Sequence, residues 1–253
     1  MTLLKKISFI VLSCVLIHAT AVSQPLRIAV AANAASVIKL LQADFKKRTG
    51  IQTETILGAS GKLTTQIEHG APFDLFLSAD MDFPERLSKA GLTLTKPHVY
   101  AQGSLIICST SAKVLKEWQK LLSQGATGKI AIANPKLAPY GKAAEEALSY
   151  YKLMDVVKPN LVYGESISQV NTYLTSGAVA MGFTTEAFLY EQAGGAKLTW
   201  TRIDSKSYEK IEQGMVVLNY AKNKNYAEAM KFYTYLLSAP AKSILRKNGY
   251  FTP

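Results

Sequence analysis

Asn33, Ser60, Tyr140 and Ile167 stand where four short apolar runs give way to a small or polar residue and a helical pattern begins. The run at 28–32 leads into Asn33, that at 53–57 into Ser60, that at 130–133 into Pro139-Tyr140-Gly141, and that at 161–163 into Glu165-Ser166-Ile167. A helix start carries unpaired backbone N–H groups and a partial positive charge, so each junction suits an anion. Asn33 adds an amide N–H2 and Ser60 a hydroxyl, both donors that bring no charge. No acid, metal cluster or nucleophile stands among them, so the chemistry suggested is gripping an anion and releasing it unchanged.

Each residue also has a purely structural role open to it. Asn33 and Ser60 are both good helix N-caps, and a cap would occupy the same side chain. Tyr140 would contribute its backbone N–H with the ring as a cover, or belong to a plain surface turn.

Other candidate chemistry fails on spacing. Gly58-Ala59-Ser60-Gly61-Lys62-Leu63 looks like a nucleotide-binding loop but has Ile56 where the first glycine is needed and Leu63 where a magnesium-binding hydroxyl is needed. His69 and His98 lack the close-spaced partners of a zinc site, and no serine, histidine and acid are spaced as a triad. Asp74 and Asp80 read as cap and loop residues rather than paired catalytic carboxylates.

The elements that must position the junctions follow a regular order. Strand patterns at 26–32, 51–57 and 73–77 alternate with helical ones at 34–48, 62–69 and 82–90, closed by Gly50, Gly70 and Gly91. An apolar run at 99–109 is long enough to cross between lobes. A second α/β set follows: helices at 114–122, 142–151 and 168–176, and strands at 129–133, 161–163 and 178–183. A strand at 214–220 and helices at 226–238 and 241–248 complete the chain. The order predicts an α/β protein of two lobes joined by two crossing strands, lobe 1 comprising 24–104 and 217–253 and lobe 2 comprising 105–216. Ligands of open α/β sheets bind beyond the carboxyl ends of the strands, where all four junctions fall.

The first 23 residues read as a secretory signal peptide: Lys5 and Lys6, an apolar run at 7–17 too short to span a bilayer, then Ala19, Ala21 and Ser23. Cleavage after Ala21 or Ser23 is expected, and the mature protein is expected outside the cytoplasm. It would keep a single cysteine, Cys108, which lies inside an apolar run and reads as a buried hydrophobe. The formal charge of +11 is spread along the chain. Without interleaved aromatic and basic residues it suits attraction of a small anion better than nucleic-acid binding.

Five segments carry a resemblance: RIAVAAN at 27–33, GASGKLTTQIEHGAPFDLFLSAD at 58–80, YAQGSLIICS at 100–109, IAIANPKLAPYGKAAEEAL at 130–148 and KSILRKNGYF at 242–251. In these the chain resembles the periplasmic molybdate-binding proteins, the substrate-binding components of molybdate ABC importers, over essentially its whole mature length. The resemblance implies the type II periplasmic-binding-protein fold, closing like a hinged clamp on a tetrahedral oxyanion. It implies an oxyanion site of Asn33 and Ser60 side chains, backbone N–H groups at Tyr140 and Ile167, and a further backbone group at Ala32. Molybdenum would be held only as the oxyanion, with no separate cofactor. It also implies a periplasmic monomer that delivers to an inner-membrane ABC permease and has no enzymatic activity. Some members place a ligand-binding tyrosine where Phe183 aligns here.

Physical chemistry agrees with that implication. Molybdate is a dianion that only accepts hydrogen bonds, so a pocket of donors suits it, and tungstate of nearly the same size should bind too. Phosphate keeps a proton and would want an acceptor. Sulfate is also acceptor-only, which leaves a sulfate or thiosulfate receptor as the alternative, separated by cavity size. Porphobilinogen-polymerising enzymes share the two-lobed frame but need a cysteine to hold a cofactor, and Cys108 lies in a strand interior.

Overall fold

The structure, a computed structural model, describes residues 24–110, 115–125, 128–191 and 198–253. The expected leader over 1–23 lies outside them, as does Val114, the expected first residue of a helix.

The first sheet grows from strands whose apolar residues alternate between two faces. In β1 (Leu26–Ala31) Ile28 and Val30 point to one core and Ala29 to the other. Helix α1 (Ala35–Thr49) covers the first of these cores with Val37, Ile38, Leu41 and Phe45. It stops at Gly50, whose φ of 73° is left-handed and whose N–H reaches the Lys46 carbonyl at 2.8 Å. Strand β2 (Thr53–Gly58) pairs parallel with β1, and β3 (Leu75–Leu77) flanks β1 on its other side. Between them α2 (Ser60–Glu68), with α3 (Asp82–Lys89) after β3, covers the opposite face through Leu63, Ile67 and Leu87. Strand β4 (His98–Gly103) completes the outward half of the lobe.

The chain crosses to the second sheet through Ser104. That sheet contains β5 (Leu105–Ser109), β6 (Ile130–Ala133), β7 (Leu161–Gly164), β8 (Met181–Thr185) and β9 (Thr199–Arg202), in the order β7-β6-β8-β5-β9. Its helices are α4 (Trp118–Ser123), α5 (Pro139–Tyr150), α6 (Met154–Val157), α7 (Ile167–Thr175) and α8 (Phe188–Glu191). The core packs Ala143, Ala144, Ala147 and Leu148 of α5 with Val170 and Leu174 of α7. Cys108 is buried within β5, and burial pushes its thiol up to about 12.

The return to the first lobe comes earlier than expected. Strand β10 (Ile211–Val217) lies between β3 and β4 in the first sheet, so 211–216 belong to lobe 1 and the boundary at 217 is corrected. The apolar pattern begins only at Met215, because Glu212, Gln213 and Gly214 interrupt it at the point where the pairing with β4 also shifts register. Helices α9 (Tyr226–Leu236) and α10 (Ala239–Lys247) then pack on α1, with Phe232 edge-on to Phe45 at 4.9 Å between ring centres.

Of the parallel strand pairs, β1/β2 in one lobe and β6/β7 in the other matter here, because each of these four strands runs into a helix start. The two lobes touch at these ends. The Gly61 N–H of α2 donates to the Leu137 carbonyl at 2.9 Å, and Lys62 pairs with Glu165 at 2.5 Å.

Candidate functional site

The four helix starts meet around one small cavity of about 10 Å³, lined by Ala31, Ala32 and Asn33, by Ala59, Ser60 and Ala79, and by Ala138, Pro139, Tyr140 and Ile167. All five sequence-predicted site residues (Ala32, Asn33, Ser60, Tyr140 and Ile167) are therefore brought together, although they come from both lobes and span 136 positions in the chain. No acid or base lines it. Roomier hollows lie elsewhere among the described residues, two of them near the cleft or the lobe boundary. One of about 480 Å³ is lined by Gln102, Arg202, Tyr208 and Phe251, and one of about 260 Å³ by Asp80, Asp82, Lys142, Glu146 and Glu209. The first receives none of the four helix starts and the second is rich in acids, so donor chemistry, not volume, selects the small cavity.

Small residues make the approach possible. Alanine at 31, 32, 59, 79 and 138 keeps side chains short, so backbone and hydroxyl donors face the cavity. Tyr140 and Ile167 sit in the first turns of α5 and α7, and neither N–H has a backbone acceptor among the described residues. The start of α5 is set by Pro139, which is preorganised for a first helical position. Gly141 is required behind it, because a Cβ there would come within 2.1 Å of the Ala133 carbonyl oxygen.

Neither side chain of the pair Asn33 and Ser60 is a helix cap. The N-cap of α2 is Ala59, and Ser60 is the first helical residue; its Oγ accepts from the Ala79 N–H at 3.1 Å. That bond uses a lone pair and leaves the hydroxyl proton to donate. The N-cap of α1 is Ala34, and Asn33 lies in the single 3-10 turn Ala32–Ala34 before it. The Asn33 amide is turned opposite to expectation. Its Nδ2 donates away from the cavity, to Gln213 Oε1 at 3.1 Å and the Tyr250 hydroxyl at 3.3 Å, while its Oδ1 is buried without a partner among the described residues.

Behind the cavity lies a buried polar network that the sequence did not reveal. Gln213 Oε1 also accepts from the Tyr100 hydroxyl at 2.9 Å, and Gln213 Nε2 donates to the Tyr140 hydroxyl at 3.3 Å. Thr185 Oγ1 donates to the same Tyr140 oxygen at 3.1 Å, and the Tyr250 hydroxyl donates to the Asn33 carbonyl at 2.8 Å. Burial pushes the hydroxyls of Tyr100, Tyr140 and Tyr250 far above the ordinary tyrosine value, so all three stay neutral. No local signal marks it: Gln213 stands in the non-apolar stretch Glu212-Gln213-Gly214 at the start of β10.

Phe183 does not line the cavity. It points into the core of the second lobe, edge-on to Trp118 with ring centres 5.6 Å apart, and Thr185 on the same strand is the residue that reaches Tyr140. Asp74 is a buried tie whose Oδ2 accepts from the Arg27 N–H and the Asn225 amide. Among the described residues no group of three or more His, Cys, Asp or Glu could hold a metal ion. The arrangement can hold an acceptor-only anion, and no side chain lining it could act as general acid or base.

The profile of a family described as bacterial extracellular solute-binding protein matches residues 26–251. The molybdate-binding protein ModA of Azotobacter vinelandii is 32% identical over 93% of this chain and 93% of its own. That of Rhodobacter capsulatus is 33% identical over 88% of this chain and 87% of its own. The solved structure of the periplasmic molybdate-binding protein of Azotobacter vinelandii superposes with a TM-score of 0.84, at 30% identity, covering 90% of this chain and 99% of the other.

Proposed function

The chain belongs to the bacterial extracellular solute-binding family, and we propose from the donors at its cleft that its solute is molybdate. The observation that carries this reading is the convergence of four helix starts and the Ser60 hydroxyl on one small cavity between the lobes with no acid in its wall. A tetrahedral dianion offers only acceptors, and such a cavity offers mainly donors aligned with helix dipoles. Phosphate would leave its proton without an acceptor there, apart from the Asn33 amide oxygen. Tungstate matches molybdate in charge and shape and is proposed as a second ligand.

In this reading the protein binds the anion between its lobes and releases it unchanged, with no cofactor and no catalytic step. It works as a periplasmic monomer after loss of the leader, and passes the anion to the inner-membrane permease of an ABC importer. The names of its relatives and the absence of a nucleophile or acid at the cavity support this. The test is calorimetric titration with molybdate, tungstate, sulfate and phosphate, with melting curves on the same samples. A ligand that binds only the folded state at a hundred times its Kd should add about 2.7 kcal/mol of stability. Stoichiometric binding of molybdate and tungstate is expected. Binding of sulfate with none of molybdate would reassign the protein as a sulfate receptor.

A further inference from the structure

The donor that an oxyanion needs from Asn33 faces away from the cavity, and Gln213 is the reason. Gln213 Oε1 is an acceptor set against the Asn33 amide, so it draws Nδ2 backwards and leaves the buried Oδ1 without a partner. A buried amide oxygen without a donor is costly, and beside a dianion it would also repel. Turning Asn33 alone would not help, because its oxygen would then face the oxygen of Gln213.

We propose that Gln213 is a positioning residue that decides which end of the Asn33 amide meets the bound oxyanion, through a concerted turn of both buried amides. This rests on the oxyanion reading above. In the turned state Gln213 Nε2 donates to Asn33 Oδ1, and Asn33 Nδ2 faces the anion. Gln213 Oε1 then accepts from the Tyr140 hydroxyl, which now donates where it previously accepted. The Tyr100 hydroxyl, a donor to Oε1 in the first state, becomes an acceptor for Nε2.

The network around Gln213 can be read in both directions because Tyr100, Tyr140 and Thr185 are hydroxyls that donate and accept alike, whereas Tyr250 keeps its bond to the Asn33 carbonyl and gives up the one it accepts from Nδ2. Every amide group keeps a partner in the turned state. Gln213 is completely buried, so water does not compete for its groups. It also bridges the lobes: Asn33 and Gln213 belong to the first sheet's lobe, whereas Tyr140 and Thr185 belong to the second. The anion's hold on Asn33 is therefore coupled to a contact that exists only when the lobes are together.

The test is a double-mutant cycle read by molybdate titration on wild type, Gln213→Leu, Asn33→Ala and the double variant, with a melting curve for each. Gln213→Leu is expected to weaken molybdate binding about tenfold or more, the range for a lost hydrogen bond to a charged group, and to have no further effect once Asn33 is alanine. An equal loss in both backgrounds would show that Gln213 acts only on the fold and overturns the proposal. Gln213→Glu supplies a second variant of the same shape, in case leucine prevents folding. It presents only acceptors, fixes Asn33 Nδ2 backwards, and is expected to bind molybdate worse than wild type at pH 7; wild-type affinity in that variant overturns the proposal as well. Wild-type protein that binds no tetrahedral oxyanion overturns the reading underneath, an outcome distinct from either of these.

Discussion

The Ser60 hydroxyl oxygen accepts from the Ala79 backbone N–H at 3.1 Å, joining the start of α2 to the end of β3. One bond thus fixes the side chain and aims its proton. Ser60→Ala should lose about 1.5–3 kcal/mol of anion binding, roughly ten- to a hundredfold in affinity. It should also lower stability by about 1–3 kcal/mol, because the buried Ala79 N–H is left unpaired. Titration and melting on the same sample check both. A stability loss with unchanged affinity would reduce Ser60 to a structural tie.

Asn33→Asp tests the sign of the charge the cavity accepts. The change keeps the shape but sets a carboxylate against a dianion in a closed cleft, which costs several kcal/mol, beyond a lost hydrogen bond alone. Asn33→Asp is therefore expected to bind molybdate far more weakly at pH 7 than Asn33→Ala. Equal affinities in the two variants would place Asn33 outside the anion's reach.

Asp80 gives a pH test independent of the ligand. Burial pushes its carboxyl up to about 6, against the opposing pull of the Ser78 hydroxyl and the Phe83 N–H. Its value is higher in the folded state than the unfolded value of about 4, so the folded protein holds this proton more tightly. Stability should therefore fall as pH rises through 4 to 6, with the full penalty present at neutral pH. Asp80→Asn keeps an acceptor for Ser78 and Phe83 and removes the charge. It should raise the Tm at pH 7, by about 2–4 °C for each kcal/mol recovered, with the difference gone below pH 4. A Tm difference that does not change with pH would show that the gain is not electrostatic.

Some of this molecule was legible locally and some was not. Gly50, Gly70 and Gly91 marked chain reversals because each adopts a left-handed φ that other residues resist. The helix starts were readable because each follows a run of apolar residues within a few positions. Strand β9 was missed: it is short and half exposed, and its place is set by pairing with β5 almost a hundred residues earlier. The network behind the cavity was invisible for the same reason, since Asn33 and Gln213 are 180 positions apart and no local pattern links them. Gly214 explains the misplaced strand start. A Cβ there would come within 2.7 Å of the Met81 sulfur and 2.8 Å of the Asp80 carbonyl oxygen, so a tight approach, not a strand boundary, accounts for the glycine.

The placement of β10 between β3 and β4 has a consequence for the order of assembly. The first sheet cannot be completed until residues 211–217 have been made, whereas every strand of the second sheet lies within 105–202. During synthesis or refolding the second lobe is therefore the unit able to form first. The earlier strands must wait with β3 unpaired on one side, and closing so long a loop is slow. A chain that stops before Ile211 would retain a foldable second lobe and lose the first, even though most of the first lobe's residues would already be present.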